Sequence, residues 1–154
     1  MVKIFIKPPR GFKTGLQVAA CYLKMDGKLL LLERSPLESQ PFTWGVPAGK
    51  IETDEKIEEA MLRELFEETG IQLSSRLLYI KPLYISDNGK ELVYHMFETV
   101  IKENPLIRLS EEHINYKWAS LSEAKKMPLM PGAREALHHY TEMNSKLGFG
   151  QCES

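Results

Sequence analysis

The chain has 154 residues, 43% of them hydrophobic and 27% charged, with a formal net charge of −1. That is one domain's worth of ordinary globular composition, which excludes a disordered or fibrous chain. The balanced charge gives no footing for wrapping nucleic acid or for a polybasic membrane patch.

In chain order, the first ten residues lack the long apolar core and small-residue cleavage site of a signal peptide, so cytoplasmic residence is expected. Residues 16–25 and 28–34 are apolar-rich and flank Asp26-Gly27, a hairpin turn signal. The longest apolar run, 18–23, is far too short to span a membrane. Residues 35–42, with Pro36 and Pro41, form a loop, and 43–48 is a short extended piece that Pro47 restricts to a strand end or sheet edge. A turn-like connection over 49–53 leads to a helix over 55–69, with Asp54 as its N-cap and Gly70 to end it in a left-handed conformation. Strands over 77–86 and 91–101 flank the turn Asp87-Asn88-Gly89-Lys90 as a second hairpin. A polar loop over 104–115, a short strand over 116–121 and a helix over 131–147 complete the order β-β-β-α-β-β-β-α. The last helix carries a stripe of Ala133, Ala136, Leu137, Tyr140, Met143 and Leu147 and is stopped by Gly148. No repeat, linker or low-complexity segment divides the chain.

A chain of this length buries roughly 70% of its unfolded surface, so no staple is required for folding. Cys21 and Cys152 lack CxxC spacing and suggest neither a disulfide framework nor a zinc knuckle. The charge is unevenly placed. Between Glu52 and Glu68 eight acids face two bases, a net of −6, whereas the first 34 residues hold seven bases and two acids. Such asymmetry is ordinarily a pair of solvated faces; its sharper reading is an acidic cation site beside a basic surface that tolerates a polyanion.

The helix over 55–69 separates these readings. At about 100° per residue, Ile57, Ala60, Met61 and Leu65 define a buried face. Glu64 and Glu68 fall inside that face and Glu67 beside it, where an ordinary surface helix has no acids. The three are neighbours at i, i+3 and i+4 and repel one another. Glu67 and Glu68 also sit at the helix C-terminus, the wrong end of the dipole for an anion. A divalent cation reverses all three penalties, and hard oxygen ligands suit Mg²⁺ or Mn²⁺.

Gly49-Lys50-Ile51-Glu52-Thr53-Asp54-Glu55, then seven residues, then Arg63-Glu64-Leu65-Phe66-Glu67-Glu68-Thr69-Gly70-Ile71 resembles the signature of the Nudix hydrolases at every defined position. Seven fixed residues match: Gly49, Glu55, Arg63, Glu64, Glu67, Glu68 and Gly70. The likeness of layout covers about 16–147, within one domain spanning 1–154. It implies an α/β/α sandwich with a mixed β-sheet between helices, and MutT-like, metal-dependent cleavage of a phosphoanhydride in a nucleoside diphosphate derivative. It also implies that Glu64, Glu67 and Glu68 hold Mg²⁺ or Mn²⁺ with the backbone carbonyl of Ala48, that Arg63 orients Glu64, and that Glu55 supports from behind. Glu112, spaced before Trp118 as a further loop acid is in MutT-like members, is the expected additional ligand and candidate base; Glu111 is the competing loop acid.

The substrate expected is a (deoxy)nucleoside triphosphate, with nucleotide sugars, ADP-ribose and dinucleoside polyphosphates as alternatives. The proline typical of ADP-ribose hydrolases is absent beyond the signature, and residues 31–35 match the coenzyme A hydrolase motif only in part. Two readings from other classes stand beside the hydrolase. A non-catalytic nucleotide-binding module is opposed by the seven intact positions. An isomerase of the isopentenyl diphosphate type would need Cys21, which reads as buried strand. His95 reads as structural, and His138 and His139 as surface or packing residues. The partner expected is a small-molecule nucleotide, without stable nucleic-acid or membrane binding, for a monomer or homodimer.

Overall fold

The structure, a computed structural model, describes residues 1–73 and 76–147, the last four through their backbone alone. Gly148 and Cys152 lie outside the described residues, as does the side chain of Leu147. Among the described residues, eight strands and three helices follow one another as β1 (Val2–Phe5), β2 (Leu16–Met25), β3 (Lys28–Arg34), β4 (Trp44–Gly45), β5 (Ala48–Lys50), α1 (Ile57–Thr69), β6 (Leu78–Asp87), β7 (Lys90–Val100), β8 (His113–Ala119), α2 (Leu121–Lys126) and α3 (Ala133–Leu147).

The strands form one sheet in the order β1-β6-β7-β2-β3-β4, with β5 added to β2 and β8 to β3. Strands β2 and β7 run parallel over nine residue pairs, from Leu16↔Leu92 to Lys24↔Val100, and the other pairings are antiparallel, so the sheet is mixed. Both hairpins form where expected, with positive φ at Asp26 and Gly27 and at Asn88 and Gly89.

Alternation along the strands explains why 16–34 is so apolar. Ala19, Cys21, Leu23, Leu30 and Leu32 pack with Met61 and Leu65 of α1 on one face. Ala20, Tyr22, Leu29 and Leu31 pack with Ala124 of α2 and Ala136, Leu137 and Tyr140 of α3 on the other. A sheet covered on both faces wants apolar residues at every position. This is the expected α/β/α sandwich.

Four expectations change. Val2–Phe5, placed outside the core by sequence, pairs antiparallel with β6 from Val2↔Asp87 to Phe5↔Tyr84. Residues 43–48 and the turn after them divide into two short strands with different partners: Trp44 pairs with Glu33 of β3, whereas Ala48 to Lys50 pair with Ala20 to Val18 of β2. The helix over 55–69 starts at Ile57, because Asp54 takes a positive φ of 65° and cannot cap it. Lys56 is the N-cap instead, and the Glu59 carboxylate accepts its N–H at 3.0 Å. Finally, β8 begins at His113 and gives way at Ser120 to α2, whose capping box is Ser120 with Glu123.

Pro82 is tolerated within β6 because β1 pairs only Tyr84 to Asp87. The edge that lacks an N–H therefore has, among the described residues, no strand to bond.

Candidate active site

Strand β5 and helix α1 build the site together. Glu64 folds back so that its carboxylate lies over Gly49; a Cβ placed at Gly49 would come within 2.0 Å of Glu64 Cδ. Real atoms do not approach so closely, so glycine here makes a cradle for the carboxylate rather than a turn. One helical turn later, Glu68 is 4% exposed and accepts the Ala48 N–H at 3.0 Å. The sequence expectation concerned the Ala48 carbonyl; the contact seen is through its amide. Glu67 is half exposed, beside the other two.

Arg63 is gripped more widely than the expected fork onto Glu64. Its Nε and one terminal nitrogen bind Glu55 bidentately at 2.7 and 3.0 Å, and the latter nitrogen also donates to the Lys50 carbonyl at 3.0 Å. The other terminal nitrogen donates to Glu64 at 2.9 Å and Glu67 at 2.7 Å. Arg63 thus ties β5, the loop after it and α1 to one planar group. Glu55 has a second anchor, accepting the Glu52 N–H at 2.9 Å. The Arg63 hydrogen bonds and this amide hold the Glu55 carboxyl down at about 2. Arg63, in turn, is held firmly protonated by its hydrogen bond to Glu55.

Glu64 and Glu68 are perturbed in the opposite direction. Burial, then the charges of Glu64 and Glu112, push the Glu68 carboxyl up to about 9 against the Ala48 amide and Arg34. Burial raises Glu64 too, with Glu67 and Glu112 adding to it and Arg63 opposing. Glu112 acts electrostatically on both helix carboxylates. The loop that carries Glu112 is stitched to the end of α1: Arg108 N donates to Thr69 O at 2.7 Å and Ser110 N to Glu68 O at 3.4 Å. Its other side meets the end of β3, where Ser35 N donates to Glu112 O at 2.8 Å. His113, next along, is held near 4 by burial and then by Arg34, so it brings no positive charge at neutral pH.

Glu64, Glu67, Glu68 and Glu112 therefore share one neighbourhood, although among the described residues no three side chains already converge as a cation cage. The donor set fits a hard divalent cation. It consists of carboxylate oxygens; two of the carboxyls, Glu64 and Glu68, are raised by burial against Arg63 and the Ala48 amide respectively, and the Glu64 carboxylate is seated where a Cβ would otherwise be.

Sequence reasoning missed Arg34, whose charge reaches Glu68 while its guanidinium is held at 2.6 Å by the Ser39 carbonyl. Its only signal was a base ending an apolar strand. His95 is structural as expected, bonded to Tyr79 and Gln17 at 2.8 Å each. Cys21 is fully buried and its thiol is pushed up to about 12 by burial, which leaves the isomerase reading without its nucleophile. His138 is exposed on α3.

On the opposite face of the sheet, a cavity of about 240 Å³ lies among β2, β4, β6, β7 and the segment from Leu129 into α3. Its lining is largely aliphatic, with Tyr22, Tyr94 and Asp87 as exceptions. Ala48 belongs to both places, lining the cavity while its amide holds Glu68. Among the described residues no helix is long and apolar enough to cross a membrane.

The NUDIX domain model matches residues 13–140. The chain is 31% identical over 127 residues to the nucleoside triphosphatase NudI of Escherichia coli, covering 75% of this chain and 89% of that one. It is 29% identical over 119 residues to the CTP pyrophosphohydrolase of Escherichia coli, covering 75% and 84%. Among solved structures, the MutT protein of Methanosarcina mazei superposes with a TM-score of 0.71 at 26% identity, over 86% of this chain and 96% of that one. With the signature helix, its glycine cradle and the mixed sheet in place, these likenesses make the chain a member of the Nudix hydrolase family and a pyrophosphohydrolase.

Proposed function

We propose that this chain hydrolyses a phosphoanhydride bond of a nucleoside triphosphate, releasing pyrophosphate, with Mg²⁺ or Mn²⁺ held by Glu64, Glu67, Glu68, Glu112 and the Ala48 carbonyl. The observation that carries the reading is adjacency. An apolar cavity suited to a nucleoside shares Ala48 with the buried carboxylates, so a nucleotide seated there has its phosphates beside them. The two relatives named for triphosphate substrates support the same class.

A bound divalent cation offsets phosphate charge and lowers the pKa of a coordinated water. The chain's own residues supply the rest. Arg63 holds Glu64 by its Oε1 and leaves its orientation fixed. Gly49 gives that carboxylate its place. Glu68, protonated when alone, must shed its proton to serve as a ligand. Glu112, on a loop rather than the helix, takes the proton of an attacking water.

The test is pyrophosphate release from the common nucleoside triphosphates by wild type and Glu68→Gln, with ADP-ribose, a nucleotide sugar and a dinucleoside tetraphosphate alongside. Cleavage of a triphosphate that chelator abolishes, and that Glu68→Gln lowers by orders of magnitude, is the expected result. Near-full turnover in Glu68→Gln overturns the reading.

A further inference from the structure

We propose that Asp87 reads the base in this cavity and selects guanine nucleotides, an inference that rests on taking the cavity as the nucleoside site. Leu83, Ile85 and Asp87 alternate onto one face of β6, the first two buried in the core beneath α3. Asp87 is the next residue on that face and closes the cavity wall beside Val2 and Leu92. Among the described residues lining the cavity it carries the one charge. The hydroxyls of Tyr22 and Tyr94 lie 3.1 Å apart and spend one of their two donors on each other, so what they still offer a base is one neutral donor rather than a charge.

Apolar walls bind any base; discrimination falls to the polar group at the rim. An ionised carboxylate is an acceptor pair with no donor. Guanine presents two adjacent donors on its Watson–Crick edge, N1–H and the 2-amino group, and satisfies both oxygens at once. Adenine and cytosine set one amino donor next to a ring-nitrogen acceptor, so one bond comes with one repulsion. Uracil flanks its single N–H with two carbonyls. The carboxylate is accessible: its side chain is 40% exposed, and the Met1 ammonium, 3.9 Å away and itself exposed, is a solvent-screened neighbour that a ligand displaces at little cost.

The experiment measures calorimetric affinity for GMP, IMP, XMP, AMP, CMP and UMP in wild type, Asp87→Asn and Asp87→Ala, with triphosphate hydrolysis assayed in parallel. Wild type is expected to bind GMP at least about tenfold tighter than IMP, which lacks the 2-amino group, and than AMP, CMP or UMP. Asp87→Ala loses that preference. Asp87→Asn transfers it to XMP, because an amide's donor and acceptor match the N1–H and C2 carbonyl of xanthine. Hydrolysis without base preference, or a GMP preference that survives both substitutions, overturns the role of Asp87 and leaves the hydrolase reading standing. A GMP preference without hydrolysis does the reverse. Failure to bind any monophosphate sinks the role of Asp87 whatever the hydrolysis result.

Discussion

At the scale of single residues, the site is a set of carboxylates whose proton affinities the fold pulls apart. Glu55 is held at about 2 by Arg63, and Glu68 is pushed to about 9 mainly by burial. Because the folded pKa of Glu68 lies above its ordinary 4.5, the metal-free folded state holds a proton that the unfolded chain has already released. Its contribution to stability is complete below about pH 4.5 and is lost as pH rises toward 9. Glu68→Gln keeps the neutral shape without the titration. In chelator, the stability of wild type relative to Glu68→Gln should therefore fall between pH 5 and pH 9 in denaturant titrations; a constant difference contradicts the burial argument. Gly49→Ala makes a second test. Its Cβ meets only the end of a flexible side chain, so the fold should survive with little loss of melting temperature. Glu64 is displaced by more than an ångström, and turnover should drop about 100-fold or more. Arg63→Lys gives up the bidentate grip on Glu55 together with the Lys50 carbonyl and should cost about 10–100-fold in turnover. Unchanged kinetics would make Arg63 a surface ion pair. The misplaced acids were legible because helical spacing alone decides which face a residue shares. The Glu64–Gly49 contact was not, because it joins residues 15 apart through a strand-to-helix packing that no local period encodes.

At the scale of elements, α1 is tied at both its ends, by the bond from the Lys56 N–H to Glu59 at the start and by Gly70 at the finish. Gly70 takes a φ of 76° and returns its N–H to Phe66 O, which lets the chain leave toward the loop at 108–112. Gly70→Ala meets left-handed strain and an Arg108 Cβ 3.3 Å away, so unfolding should become easier by about 1–2 kcal/mol in urea titrations. That loop delivers Glu112, and kinetics across pH at saturating Mg²⁺ distinguish it from Glu111. Glu112→Gln should lose turnover and with it the acid limb of the profile, with KM largely kept, while Glu111→Gln stays near wild type. Equal, near-normal rates in both would return the base to the helix. The hairpins and both long helices could be read from turn residues and periodicity. Strand β1, four residues ahead of Pro8 and Pro9, and helix α2, six residues long, are too short to show a period, and their partners lie more than 70 residues away for β1 and across the sheet for α2.

At the scale of the whole molecule, the sheet separates two chemistries. One face buries α1 and gathers carboxylates; the other, beneath α3, leaves an apolar cavity; Ala48 joins them at the boundary. The sequence displays the first face in a single helix, whereas the cavity is assembled from strands spread between Val2 and Tyr94 and a helix beyond Leu129, so no segment announces it. The carboxylates should take up a cation together with the loss of the Glu68 proton. Calorimetric titration of Mg²⁺ into wild type and Glu68→Gln, in two buffers of different ionisation heat at pH 7, measures both quantities at once. Wild type should release about one proton per site, and Glu68→Gln should bind more weakly with no such release. Equal affinity in the two proteins, without proton release from wild type, would contradict it.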